Sequence, residues 1–144
     1  MTIEYAARQR LVDDTAVAAL VATRIYPQIA QQGAALPYVV YSVISADRPR
    51  HLLSASGIVT KRIQFDCFGS TYVQARLLAD KLRLSLDGIK HTTIGSGSYT
   101  HFCNGVMLDG EQDGFDEPFD ADQLGVHRII QDYIFWSTET VPSN

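Results

Sequence analysis

Between Asp109 and Asp120 the chain carries Asp109, Glu111, Asp113, Glu117 and Asp120, with Gly114 inside the run. Oxygen ligands at positions 1, 3, 5, 9 and 12 around a glycine at 6 follow the register of a calcium loop, in which carboxylates wrap one hard cation. Glu111 stands where a shorter acid is usual, and Asp120 where a bidentate glutamate is. A strand rather than a helix leads into the run, and a solvated acidic loop accounts for the same residues. His51, His91, His101 and His127, with Cys67 and Cys103, are the softer candidates. His101 and Cys103 alternate on one strand face, with His91 as the third ligand only if it folds back, but the spacings of a zinc site are absent. Gly95-Ser96-Gly97-Ser98 lacks the order of a nucleophile elbow. Glycine-rich phosphate loops bearing Lys and Ser/Thr are missing too. Asp13/Asp14 and Asp116/Glu117 are paired acids in solvent-like stretches where nothing raises a pKa. No catalytic residue, no metal-ligand set and no cofactor motif emerges, so an enzyme is not expected.

The elements that must position these residues come from a chain of 144 residues, a length that suggests a single domain over 1–144. Hydrophobic residues make up 46% and charged residues 19%, which excludes a disordered chain. Two cysteines are too few for a disulfide framework. The net charge of −4 gives no electrostatic reason for tight DNA binding. No apolar run approaches the ~18–20 residues of a membrane span, so no membrane partner is expected.

Leu11, Thr15, Ala18 and Val21 recur at helical spacing, predicting a helical N-terminus over 3–25. Asp13 or Asp14 also fits as the cap of a second short helix, so one bent helix and two helices are both compatible. Pro27 ends the helical pattern. Leu36–Ser45 is rich in β-branched and aromatic residues and reads as an inner strand. Val59, Ile63, Phe65 and Cys67 face one way, interrupted by Lys61, while Thr60, Arg62, Gln64 and Asp66 face the other. Thr71 and Gln74 form a capping box, and Ala75, Leu78, Ala79, Leu82 and Leu86 form one apolar stripe, with Arg76, Asp80 and Arg83 free to pair outside. Lys90–Ser98 reads as a loop, and a strand follows at about Tyr99–Leu108 with a bulge at Gly105. An acidic loop over 109–122, a last strand over Val126–Trp136 and a flexible tail over 137–144 complete the chain. The expected fold is α+β: a mainly antiparallel sheet of about four strands with two or three helices on one face, in the order α-β-β-α-β-β.

That architecture leaves apolar surface over. The last strand carries Ile130, Ile134 and Trp136 on one face and Ile129, Tyr133 and Phe135 on the other, yet helices cover one face. Either Trp136 closes the edge of the core, or the strand's outer face meets another subunit through aromatic anchors.

Several segments together resemble the tail-completion family of long-tailed bacteriophages and prophages, the head–tail joining or tail-terminator proteins. They are Leu20-Val21 with Arg24-Ile25-Tyr26-Pro27, then Leu36-Pro37-Tyr38-Val39-Val40-Tyr41, then Arg62-Ile63-Gln64-Phe65-Asp66. The helix with Tyr72, Ala75, Leu78 and Ala79 follows, and finally Asp132-Tyr133 with Trp136. They stand in family order across roughly residues 11–136; the acidic segment and the chain after Trp136 are less typical and carry no family role. The resemblance implies a cofactor-free virion protein at the head–tail interface, assembled in the bacterial host cytoplasm. Its implied partners are copies of itself in a ring (commonly a hexamer), the tail tube protein and the head connector protein. Arg48 and Arg50 in the polar loop over 47–57, with Ile134 and Trp136, are the expected oligomer contacts. Asp109, Glu111, Asp113 and Asp116 are candidates to face a channel through which DNA passes without tight binding, where carboxylates repel phosphates. The alternative for that segment is an outward, solubilising face, and the alternative function is a small ligand- or calcium-binding domain using 109–120. A hydrolase would need a base beside Ser96 or Ser98, and none is identified.

Overall fold

Alternation of apolar and polar residues decides the centre of the molecule. In the computed structural model, which describes residues 2–52, 55–118 and 125–142, β3 (Ile58–Gly69) buries Val59, Lys61, Ile63, Phe65 and Cys67 on one face. Alongside it, antiparallel β6 (Val126–Thr138) buries Ile129, Gln131, Tyr133, Phe135 and Ser137 on the same face. The period of two in the sequence is thus the period of burial.

Chain order gives α1 (Ile3–Asp13), α2 (Thr15–Val21), β1 (Ile25–Pro27), β2 (Tyr38–Asp47), β3, α3 (Tyr72–Leu86), β4 (Lys90–Ser96), β5 (Tyr99–Asp116) and β6. The sheet has six strands in the order β1-β2-β3-β6-β5-β4. It is mixed, because β1 runs parallel to β2 while the other pairs are antiparallel. The expected four-strand sheet is therefore two strands short. β1 is only three residues long, and Arg24 fixes its place by donating through Nε to the Pro37 carbonyl oxygen at 3.0 Å. β4 carries a single buried apolar residue, Ile94, so Lys90–Ser98 has the composition of a loop while forming an edge strand and its turn. β5 continues to Asp116, so the first half of the expected acidic loop is paired strand, and residues 119–122 lie outside the described residues. Of the expected tail, Ser137 and Thr138 extend β6, Glu139 is ion-paired to Arg48, and residues 143 and 144 are outside the described residues.

Helices cover one face of the sheet. α1 lies over β4 and β5, and α3 over β3 and β6. Ile3, Ala6, Ala7 and Leu11 of α1 and Ala75, Leu78, Ala79, Leu82 and Leu86 of α3 are buried, and each fully buried leucine contributes about 1.5–3 kcal/mol. The N-terminal helical pattern resolves into two helices, since the Asp14 carboxylate accepts from the Ala16 and Val17 backbone N–H groups and so caps α2. At the start of α3 the Thr71 hydroxyl accepts from the Gln74 N–H, and the Gln74 side chain reaches back one residue further than a capping box, to the Ser70 N–H. α1 can sit this close to the β4–β5 hairpin because Gly95 has φ of +88° and no side chain. A Cβ there would stand 1.9 Å from the Tyr99 carbonyl oxygen and 3.3 Å from the Ala6 Cα.

Lys61 is the one buried cation on the helix-covered face of β3, and Glu4 of α1 accepts its hydrogen bond at 2.9 Å. Burial alone would raise the Glu4 pKa; bonds from Lys61, the backbone and Thr2 outweigh it and hold the carboxyl below its ordinary 4.5. A depressed acid contributes stability that is complete above the ordinary value and is lost as pH falls through the lowered one. Glu4→Gln is expected to flatten the fall in stability below about pH 4.5, read by urea unfolding across pH; an unchanged acid slope would show the pair is inert. Glu4→Ala, which strands the ammonium, should cost about 2–4 kcal/mol at neutral pH.

Candidate functional site

A sheet with helices on one side presents its other side. On that open face β6 places Arg128, Ile130, Asp132, Ile134 and Trp136, flanked on β3 by Phe68, Asp66, Gln64, Arg62 and Thr60. The register sets Met107 of β5 beside Ile134 and Gly105 beside Trp136. Phe102, next to buried Cys103 on β5, continues the apolar strip outward, and Phe102 and Met107 are 45% and 42% exposed. Ile134 and Trp136 are half-buried. Trp136 therefore lies across the sheet from the core cluster rather than closing its edge.

Arg48 and Arg50 stand apart from that strip, at the turn of the long β2–β3 hairpin. Arg48 pairs with Glu139, and Arg50 forms an isolated bridge with Ala55. Val43, Ile44 and Ile58 are exposed along the same arm.

The four candidate channel acids do not share a surface. A register shift between Leu108 and Gly110 interrupts the alternation of β5. Asp109 turns to the open face, where Arg62 donates to it at 2.8 Å. Glu111 and Asp113 turn to the helix side, where Arg76 of α3 pairs with both and Tyr72 donates to Asp113 at 3.0 Å. Asp116 is again on the open face, 3.9 Å from Arg128. Arg76 was expected to pair along α3; it bridges to β5 instead, leaving Asp80 and Arg83 paired at 2.8 Å. The first three acids of the calcium register thus do not converge on one point. Among the described residues no group of three or more His, Cys, Asp or Glu side chains is arranged to hold a metal ion.

Glu111 also ends a buried polar network that the sequence reading missed. Gln131 is fully buried, and its amide donates to the Ala79 carbonyl oxygen at 3.0 Å and to Glu111 at 2.7 Å. Its own oxygen accepts from the Tyr133 hydroxyl at 2.8 Å. Burial raises the Tyr133 pKa strongly, so its proton stays in that bond. A glutamine in an otherwise apolar strand face was the available signal.

On the open face, burial pushes the Asp66 pKa up, opposed by the bond from Gln64 and the charge of Arg128, with Asp132 and Asp116 adding to the rise. Cys67 and Cys103 are both buried, and burial raises both thiols, which removes the thiolate that a metal or a nucleophilic role requires. A groove of about 480 Å³ runs between α1 and β1, lined by Tyr5, Arg8, Tyr26, Tyr41 and Tyr99 among others. Arg8 is occupied there, donating to the carbonyl oxygens of Ile25 and Thr23.

Against known proteins, the family model described as tail completion protein gp17 matches residues 6–98, from α1 to the β4–β5 turn. Among solved structures, a chain in one described as "Virion of native gene transfer agent (GTA) particle" is similar with a TM-score of 0.64 and 18% identity, over 92% of this chain and 91% of that chain. At that identity the likeness concerns the fold, and it includes the β5–β6 ribbon that the family model does not reach. Among curated proteins none matches the sequence.

The network yields a double-mutant test. Tyr133→Phe is expected to cost about 1 kcal/mol and Gln131→Leu about 2–3 kcal/mol, since the latter leaves the buried hydroxyl without its acceptor. Combined, they should cost less than their sum. Urea unfolding of the four proteins measures the coupling, and strict additivity would show that the hydroxyl and the amide act independently.

Proposed function

The chain belongs to the tail completion protein gp17 family and is a structural protein of the virion tail, not an enzyme; on that premise we propose that it caps the tail tube and joins the tail to the head connector as a ring of identical subunits. The observation that carries this reading is the open sheet face, where Ile134, Trp136, Met107 and Phe102 form an apolar strip that no helix among the described residues covers. Monomeric proteins rarely leave contiguous apolar surface of this kind without a partner for it. A ring is built from a heterologous contact, in which one patch meets a different patch on the neighbour. The open face supplies one such patch, and the β2–β3 arm with Arg48 and Arg50 adds reach at its end.

The other partners of this reading are the tail tube protein on one rim and the head connector on the other, with DNA passing through the middle. Of the candidate channel acids, Asp113 and Asp116 retain 55% and 52% of their side-chain exposure, near the free end of the β5–β6 ribbon. A ribbon end that faces the lumen would keep phosphates from adhering. Asp109 and Glu111 are already paired within the protomer, with Arg62 and with Arg76 and Gln131, and are left out of the channel reading.

Two outcomes test the proposal. Ile134→Ser with Trp136→Ser should leave far-UV circular dichroism near wild type while lowering the native mass, alone or on purified tail tube. Unchanged mass in both settings would remove this face from assembly. Asp113→Lys with Asp116→Lys should slow DNA ejection from assembled particles while the particles still form; ejection at the wild-type rate would place the ribbon end outside the channel.

A further inference from the structure

α3 is apolar on two opposite sides. Its inner stripe, Ala75, Leu78, Ala79, Leu82 and Leu86, is buried against the sheet. At 3.6 residues per turn, Val73, Leu77 and Leu84 line up on the far side of the helix, and they are 75%, 46% and 61% exposed. This outer stripe runs about 16 Å along the helix axis. A helix with apolar residues on both sides is normally buried on both sides, yet among the described residues no layer covers Val73, Leu77 and Leu84.

The bare sheet face has the matching deficiency. It lies on the other side of the sheet from α3, so the two surfaces cannot meet within one chain, and only a second copy can bring them together. Their charges are of opposite sign. Outside the inner stripe of α3, Lys81 and Arg83 outnumber Asp80, Arg76 being paired with Glu111 and Asp113 of β5. On the open face Asp47, Asp66, Asp109, Asp116 and Asp132 outnumber Arg62 and Arg128. Lys81 and Asp132 have no ion-pair partner among the described residues.

We infer that the contact between neighbouring copies is a helix-on-sheet contact: the outer stripe of α3, Val73, Leu77 and Leu84 with Lys81 and Arg83, seats on the next subunit's open face at Phe102, Met107, Ile134 and Trp136, with Asp109 and Asp132 taking the cations. The inference rests on self-assembly as proposed above and specifies its geometry. Each copy then offers its helix to one neighbour and its sheet to the other, which is the head-to-tail pattern that closes a ring. Apolar residues at the centre supply the affinity, and the flanking charges fix which surfaces meet.

Charge exchange tests it, with the melting temperature of each variant as the control, because Asp109 and Arg83 also pair within the protomer, with Arg62 and Asp80. One variant carries Lys81→Glu with Arg83→Glu, a second carries Asp109→Lys with Asp132→Lys, and a third carries all four changes. Each reversed surface alone is expected to weaken self-association by about tenfold or more, read by sedimentation velocity. Mixing the first two variants, or using the third alone, should restore the multimer. Val73→Glu with Leu84→Glu should abolish it while leaving the melting temperature close to wild type. A wild-type multimer that none of these variants weakens overturns the α3-to-sheet contact and leaves the ring reading standing. Wild-type protein that stays monomeric both alone and on purified tail tube overturns both. Variants that keep the multimer but lose binding to purified tail tube protein would assign these surfaces to the tube and also overturn the contact.

Discussion

A layer of helices on one side of a six-stranded sheet is the constraint from which the other properties of this protein follow. One sheet face and the inner sides of three helices make a sufficient core: Phe65, Tyr133 and Phe135 fill its centre, with Ile3, Leu11, Leu78 and Leu82 packed over them. With its three helices placed there, the chain has none left for the other face among the described residues. An antiparallel sheet tolerates a wet face when that face is polar. Here the wet face mixes Thr60, Arg62 and Gln64 with Ile134, Met107 and Trp136, a composition suited to a surface that is dry only after assembly.

The core is also pinned by polar groups. Gln131 joins β6 to α3 through the Ala79 carbonyl and to β5 through Glu111, and Arg76 carries the link from Glu111 back to α3. Lys61 and Glu4 tie β3 to α1 in the same manner. Such contacts add little net energy compared with apolar burial, but each has a unique partner. Helices that slid by one turn would leave a charge or an amide unsatisfied, so these bonds fix the registry of the layers.

How much of this was legible depends on element length and periodicity. The phase of β3, including the anomaly at Lys61, and the two faces of β6 are readable because twelve or more residues keep the strand period with no bulge in their mutual pairing. The inner stripe of α3 is readable for the same reason at its own period. β1 and β4 are not: three residues cannot establish a pattern, and the polar edge strand owes its conformation to hydrogen bonds with β5 rather than to its own side chains. In the acidic segment, a strict alternation would put Asp109, Glu111 and Asp113 on one side. One extra residue at the bulge sends Asp109 to one face and Glu111 and Asp113 to the other. The outer stripe of α3 escaped notice since Val73, Leu77 and Leu84 look redundant once five other residues have satisfied the core.

Cys67 and Cys103 acquire a further meaning in a protein that ends in a particle. A virion leaves a reducing cell and persists in aerated surroundings, where accessible thiolates are oxidised or joined to one another. Both sulfurs here are sealed from solvent, and burial keeps their protons in place. The subunit thus offers its surroundings no accessible thiol, and a particle that holds it can age outside the host without stray covalent bridges through these two cysteines.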